Sequence, residues 1–123
     1  MHRSRLAGFI IDSKTTDLEG STAFWSAALG LARTGSGGDT YEGLDGTPRD
    51  LAIEVQKVDH DSRVHLDIES TDVDAEADRL EILGAKRIGK VHTWWVMEAP
   101  SGHRFCVIRA KNVETKSGWT DWP

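Results

Sequence analysis

Hydrophobic and polar positions alternate most cleanly at Val64-His65-Leu66-Asp67-Ile68-Glu69. Successive side chains of a strand point to opposite faces, so Val64, Leu66 and Ile68 share one face while His65, Asp67 and Glu69 share the other. The apolar face is expected to meet a core. The face with three ionisable groups is either wet or lines a polar cavity. Thr71-Asp72-Val73-Asp74 follows, where a hydroxyl or carboxylate can accept the unpaired amide hydrogens of a first helical turn. Val73, Ala77, Leu80 and Leu83 then recur at helical spacing, and Gly84 supplies the positive-φ stop.

The same order occurs earlier in the chain. Leu6 to Asp12 alternates weakly as a strand, Thr16-Asp17-Leu18-Glu19 has capping-box form, and Leu18, Trp25 and Leu29 share a stripe that ends at Gly30. Each half continues into strand-like runs broken by turn residues. In the first, Thr34-Gly35-Ser36-Gly37-Gly38 is a flexible connection, Tyr41 to Leu44 a short extended piece and Leu51 to Val58 a strand. In the second, Lys86 to Val91 and His92 to Glu98 pair, Pro100-Ser101-Gly102-His103 turns, and Arg104 to Arg109 closes. Both halves read βαβββ, approximately Leu6 to Val58 and Arg63 to Arg109, joined by Asp59-His60-Asp61-Ser62. Helices are predicted over Leu18 to Leu29 and Val73 to Leu83. An α+β fold with an internal repeat follows.

With 123 residues, one domain is expected, because either half alone would bury too little surface to be stable. The net charge of −5 and the absence of a clustered basic run argue against nucleic acid or an anionic membrane as partner. A single cysteine excludes an internal disulfide. No apolar stretch approaches the roughly 20 residues of a membrane span, and the start of the chain lacks a signal-peptide core, so the default location is the cytoplasm. The tail, Asn112 to Pro123, shows no periodicity and is polar apart from Trp119 and Trp122.

Chemistry-bearing residues are sparse. No Ser-His-Asp order is visible, and Gly35-Ser36-Gly37-Gly38 lacks the Lys-Ser/Thr and helix of a phosphate loop. Cys106 has no histidine or basic residue close by in the sequence that would mark it as a nucleophile, and reads as a small core residue. Trp94 and Trp95 must point to opposite sides of their strand. Trp95 is taken as the one that walls a ligand cavity, and Trp25 as a core residue of the first helix.

The repeated βαβββ plan, Phe24-Trp25-Ser26-Ala27-Ala28-Leu29-Gly30, Arg63-Val64-His65-Leu66-Asp67-Ile68 and Pro100-Ser101-Gly102-His103-Arg104-Phe105-Cys106, taken together, resemble the vicinal oxygen chelate superfamily. The chain is most similar to its glyoxalase-like and bleomycin-resistance branches, over roughly Leu6 to Arg109. The resemblance implies two modules whose curved mixed sheet forms a cup with the helices outside. It also implies four cup-facing positions at which metal-using members carry His or carboxylate ligands, falling here near Gly8, Gln56, His65 and Cys106.

Only His65 of these is an ordinary ligand, although Glu54 lies on the same strand face as Gln56. Strand alternation independently sets Ala52, Glu54 and Gln56 against Leu51, Ile53 and Val55. It likewise sets Arg104, Cys106 and Ile108 against Phe105 and Val107, and Gly8 and Ile10 against Ala7, Phe9 and Ile11. A catalytic divalent ion generally needs about three protein ligands and an open position. The expectation is therefore a protein that binds a small organic molecule in its cup through His65, Gln56, Glu54, Asp67, Cys106 and Trp95, without the full metal site. The alternative is a divalent-metal-dependent lyase, isomerase or dioxygenase. His65 is either a ligand contact or a structural histidine bonded to a neighbour. The resemblance and the two tail tryptophans, which need burial, also imply a homodimer.

Overall fold

The computed structural model describes residues 1–35, 38–47 and 50–123; Ser36 and Gly37 of the glycine-rich connection lie outside them. The order is β1 (His2–Lys14), α1 (Leu18–Leu29), β2 (Ala32–Arg33), β3 (Tyr41–Asp45), β4 (Ala52–Val58), β5 (Arg63–Ser70), α2 (Val73–Ile82), β6 (Lys86–Val91), β7 (Trp94–Glu98), β8 (Arg104–Arg109) and β9 (Thr120–Trp122), with a short 3-10 turn at Val113–Thr115. The repeated βαβββ order is present, and the fold is α+β. Two compact units divide the chain. One is Gly8–His65; the other joins Met1–Ala7 to Leu66–Pro123. Both boundaries fall inside strands, β1 and β5, so the units do not coincide with the sequence halves.

In the unit Gly8–His65, β2, β3 and β4 pair antiparallel, and β4 runs parallel to the second half of β1. Phe9 and Ile11 sit beside Ile53 and Val55 in register, and Val55 and Leu44 are buried. Asp17, rather than Thr16, caps α1 by accepting the Gly20 amide at 2.9 Å. Glu19 does not reach back to complete a capping box. It forms a fork with the Arg33 guanidinium at 2.5 and 2.6 Å, a stronger, charge-assisted pairing. The expected stripe on α1 is only partly used: Thr22 is its fully buried residue, Trp25 is half-buried edge-on to Phe24, and Leu29 is exposed.

The second unit has strand order β5-β8-β7-β6, with β5 parallel to β8 and the other pairs antiparallel. Ala77 and Leu80 of α2, Met97 of β7 and Val107 of β8 form its core, flanked by Ile68, Val73, Ala85, Trp95 and Phe105. Asp72 caps α2 through the Ala75 amide, and Gly84 takes the positive φ that follows the helix. His92, expected inside a strand, has φ of 53° and makes the tight β6–β7 turn. Its place in a two-residue hairpin loop requires that left-handed backbone.

Two expectations fail in this region. Val64 and Leu66 were to meet a core, yet they are 57% and 43% exposed. The reason for Leu66 is that α2 lies against β6, β7 and β8, so Ile68 is the β5 residue that joins the core beneath it. Met97→Ala should therefore cost about 2 to 5 kcal/mol by cavity formation, and Leu66→Ala about 1 kcal/mol, as compared by urea denaturation. The tail is not structureless either: β9 pairs antiparallel with His2–Ser4. Trp119 donates to the Val113 and Lys116 carbonyls, and Trp122 to Ser4 Oγ at 2.9 Å. Both tail tryptophans are thereby half-buried.

Candidate functional site

Polar side chains line up across the unit Gly8–His65 on the face opposite Val55. Tyr41 of β3 is in register with Gln56 of β4, and Gln56 with Asp12 of β1. Asp12 in turn meets His65: its Oδ2 lies 2.7 Å from His65 Nδ1. A carboxylate only accepts, so the imidazole donates through Nδ1–H. Arg63 stands further off, its Nε 3.9 Å from the same oxygen. Glu54 sits between Ile10 and Gly43, one step along the same face.

Asp12 is the residue that the sequence reading missed. Its side chain is 3% exposed, and its second oxygen, Oδ1, is buried without a hydrogen-bond partner among the described residues. Buried polar atoms are nearly always paired, so this oxygen is one of the few exceptions among the described residues. A signal was present. Asp12 continues the parity of Gly8 and Ile10, and a carboxylate at the end of an apolar strand is costly without a partner.

In the second unit, Asp67 and Cys106 are direct neighbours in the parallel β5–β8 register, on the face away from α2. Trp95 departs from expectation. It packs against the α2 core, donates its indole N–H to Asp74 Oδ1 at 2.9 Å, and carries the Arg87 guanidinium 4.8 Å from its ring centre. The Asp74 carboxyl is held below the usual carboxylate range by that indole and by Lys90. Register places Trp95 beside Val107, whereas Val96 pairs with Cys106, so Trp95 belongs to the helix face.

Of the family's four metal positions, Gly8 and Gln56 carry no ordinary metal ligand. Gly8 has no donor, and the space a β-carbon would take is filled by the Ala52 backbone of β4, so no ligand-bearing residue is accommodated without moving that strand. Gln56 contributes a neutral amide and Cys106 a thiol. The ring of His65 is steered by Asp12. An open groove of about 410 Å³ lined by Thr15, Thr16, Lys57, Val58, Asp59 and His60 lies at the start of α1 and the end of β4, and none of the expected site residues lines it. Among the described residues, no helix is long and apolar enough to cross a membrane.

Comparison with known proteins agrees with this architecture. Structures of similar fold include a hypothetical protein, BH1468, from Bacillus halodurans C-125 (TM-score 0.65, 12% identity, 89% of this chain and 96% of that one). A structure described as an NAD-dependent benzaldehyde dehydrogenase from Legionella pneumophila gives TM-score 0.64, 13% identity and coverage of 84% and 99%. Methylmalonyl-CoA epimerase, in complex with methylmalonyl-CoA and an ammonium ion, gives 0.61, 14%, and 89% and 96%. At these identities they show the fold alone. No curated protein matches the chain. The profile of the glyoxalase-like domain matches residues 8–108, from the glycine that closes against β4 almost to the end of β8, and the chain therefore belongs to the glyoxalase-like domain family.

Proposed function

We propose that the protein binds a small polar organic molecule on the open face of its strands, with His65 as the central hydrogen-bonding group and without the family's complete metal site. The observation that carries this reading is the Asp12–His65 pair, in which a buried, half-satisfied carboxylate orients one imidazole at the end of the Tyr41–Gln56–Asp12 row. Tyr41, Gln56 and Glu54 offer further polar contacts along the same face. Asp67 and Cys106 belong to the open face of the second unit. The closed Gly8 position and the neutral Gln56 amide speak against the alternative, a metal-dependent lyase, isomerase or dioxygenase.

Native mass spectrometry of protein purified without added metal, run beside elemental analysis, tests the proposal. The expected result is an organic adduct with substoichiometric Mn, Fe, Ni and Zn. Asp12→Asn, which keeps the side-chain size but weakens the hold on Nδ1–H, should reduce retention of the adduct about tenfold, equivalent to about 1.4 kcal/mol. His65→Ala should reduce it further and also cost about 1 to 3 kcal/mol of stability, because Asp12 then loses its imidazole partner. Near-stoichiometric metal, or a folded His65→Ala protein that keeps the adduct, would overturn the reading.

A further inference from the structure

The tail wraps the N-terminal segment of β1 and reaches both faces of the second unit. Glu69 is 3% exposed and points, like Asp67, away from the Ile68 side of β5. Its Oε2 accepts Arg5 Nη1 at 2.9 Å, and Lys116 Nζ lies 2.9 and 3.1 Å from its two oxygens. Trp119 stands 5.7 Å from the Arg5 guanidinium. Lys116 and Trp119 therefore lie over the open face. Three residues further on, Trp122 is on the opposite side, its ring 3.7 Å from the Arg79 guanidinium of α2 and its N–H on Ser4.

We propose that residues 112–122 act as a detachable strap that closes the open face of this unit beside Asp67 and Cys106, and that it lifts at a much lower cost than unfolding. Stranding a buried charge is what makes most buried ion pairs expensive to break. Here Lys116 is the second cation on a carboxylate that keeps Arg5, so its departure leaves Glu69 paired. The rest of the attachment is three residues of edge strand, the exposed Arg3–Asp121 pair and single ring contacts of Trp119 on Arg5 and of Trp122 on Ser4 and Arg79, each a local hold that can open without the core. Glu69 is in register with Ile108, two residues beyond Cys106 on the same face, which puts the anchor about 7 Å along the strands from the thiol. The inference concerns only the Asp67–Cys106 face of this unit, and its test uses no ligand, so it and the proposed function can fail independently.

Cys106 is the chain's one cysteine, which makes its reaction with a bulky aromatic disulfide a direct reporter of that face. The full-length Lys116→Ala/Trp119→Ala variant should label at least fivefold faster than wild type under native conditions, with unchanged far-UV circular dichroism. Labelling at the wild-type rate in the folded variant would overturn the proposal. Hydrogen exchange of the wild-type protein provides a test that needs no variant. The amides of Thr120–Trp122 should exchange at least a hundredfold faster than those of β7 and β8, and protection equal to theirs would equally overturn it.

Discussion

Replacing Glu76 with alanine is expected to destabilise the protein by roughly 3 to 5 kcal/mol, among the largest effects of any single substitution in this chain. Glu76 sits on α2 with 0% exposure, and three positions converge on it. Arg79 donates twice, at 2.7 and 2.9 Å; His2 Nε2 lies at 2.8 Å; and Ser4 adds a hydroxyl bond. Alanine would leave Arg79 and His2 in a partly dry environment without their acceptor. The same network makes an acid signature. Burial alone would raise the Glu76 pKa, but the bonds from Arg79, His2 and Ser4, with the Arg79 charge, outweigh it and bring the value from 4.5 to about 2. A depressed folded-state pKa contributes stability that is complete above the unfolded value and is lost as pH falls toward the folded one. Between about pH 5 and pH 2 the protein should therefore lose on the order of 3 kcal/mol through this group. Urea denaturation at pH 7 and pH 2.5 checks it: Glu76→Gln should already be weak at pH 7 and should show a correspondingly shallower acid decline.

Gly8→Ala should destabilise by about 3 kcal/mol, at the upper end of overpacking, although it adds one methyl group to a strand with an ordinary backbone conformation. The cause is not φ. A β-carbon at this position would fall onto the Ala52 carbonyl and backbone of the parallel neighbour β4, and neither strand can retreat without breaking the register that runs from Gly8–Ala52 to Lys14–Val58. Gly8→His, which would restore a side chain of the family's ligand type, should be worse still and should not create a metal site. Thermal unfolding of the two variants, with and without added Zn or Ni, measures both claims; a Gly8→His protein of wild-type stability that gains stability with metal would refute them.

The contrast between Asp12 and Trp95 shows where reading the chain alone stops. Alternation was enough to put Asp12 on the face of Gly8 and Ile10, yet its importance emerged only when His65, 53 positions later, was found at 2.7 Å. For Trp94 and Trp95, alternation says that they oppose each other but not which faces the helix. The strand starts two residues later than expected, at Trp94, and the Trp95–Val107 register turns Trp95 to the helix. Leu66 teaches the same lesson for burial. Its parity with Ile68 holds, but α2 is ten residues long and lies over β6, β7 and β8, so parity did not translate into cover.

What the sequence determined by itself is local: the extent of α1, the helix starts next to Asp17 and Asp72, the glycine stops and the repeated βαβββ order. These depend on backbone hydrogen bonding and side-chain spacing within about a dozen residues, which a chain carries wherever it folds. Tertiary structure alone decided the rest. The Asp12–His65 pair, the closure of β4 over Gly8, the burial of Glu76 under His2 and the passage of the tail around β1 each join residues far apart in the chain. Such contacts depend on which strands become neighbours and in what register, and a single-residue shift in register reverses the face on which every side chain lies.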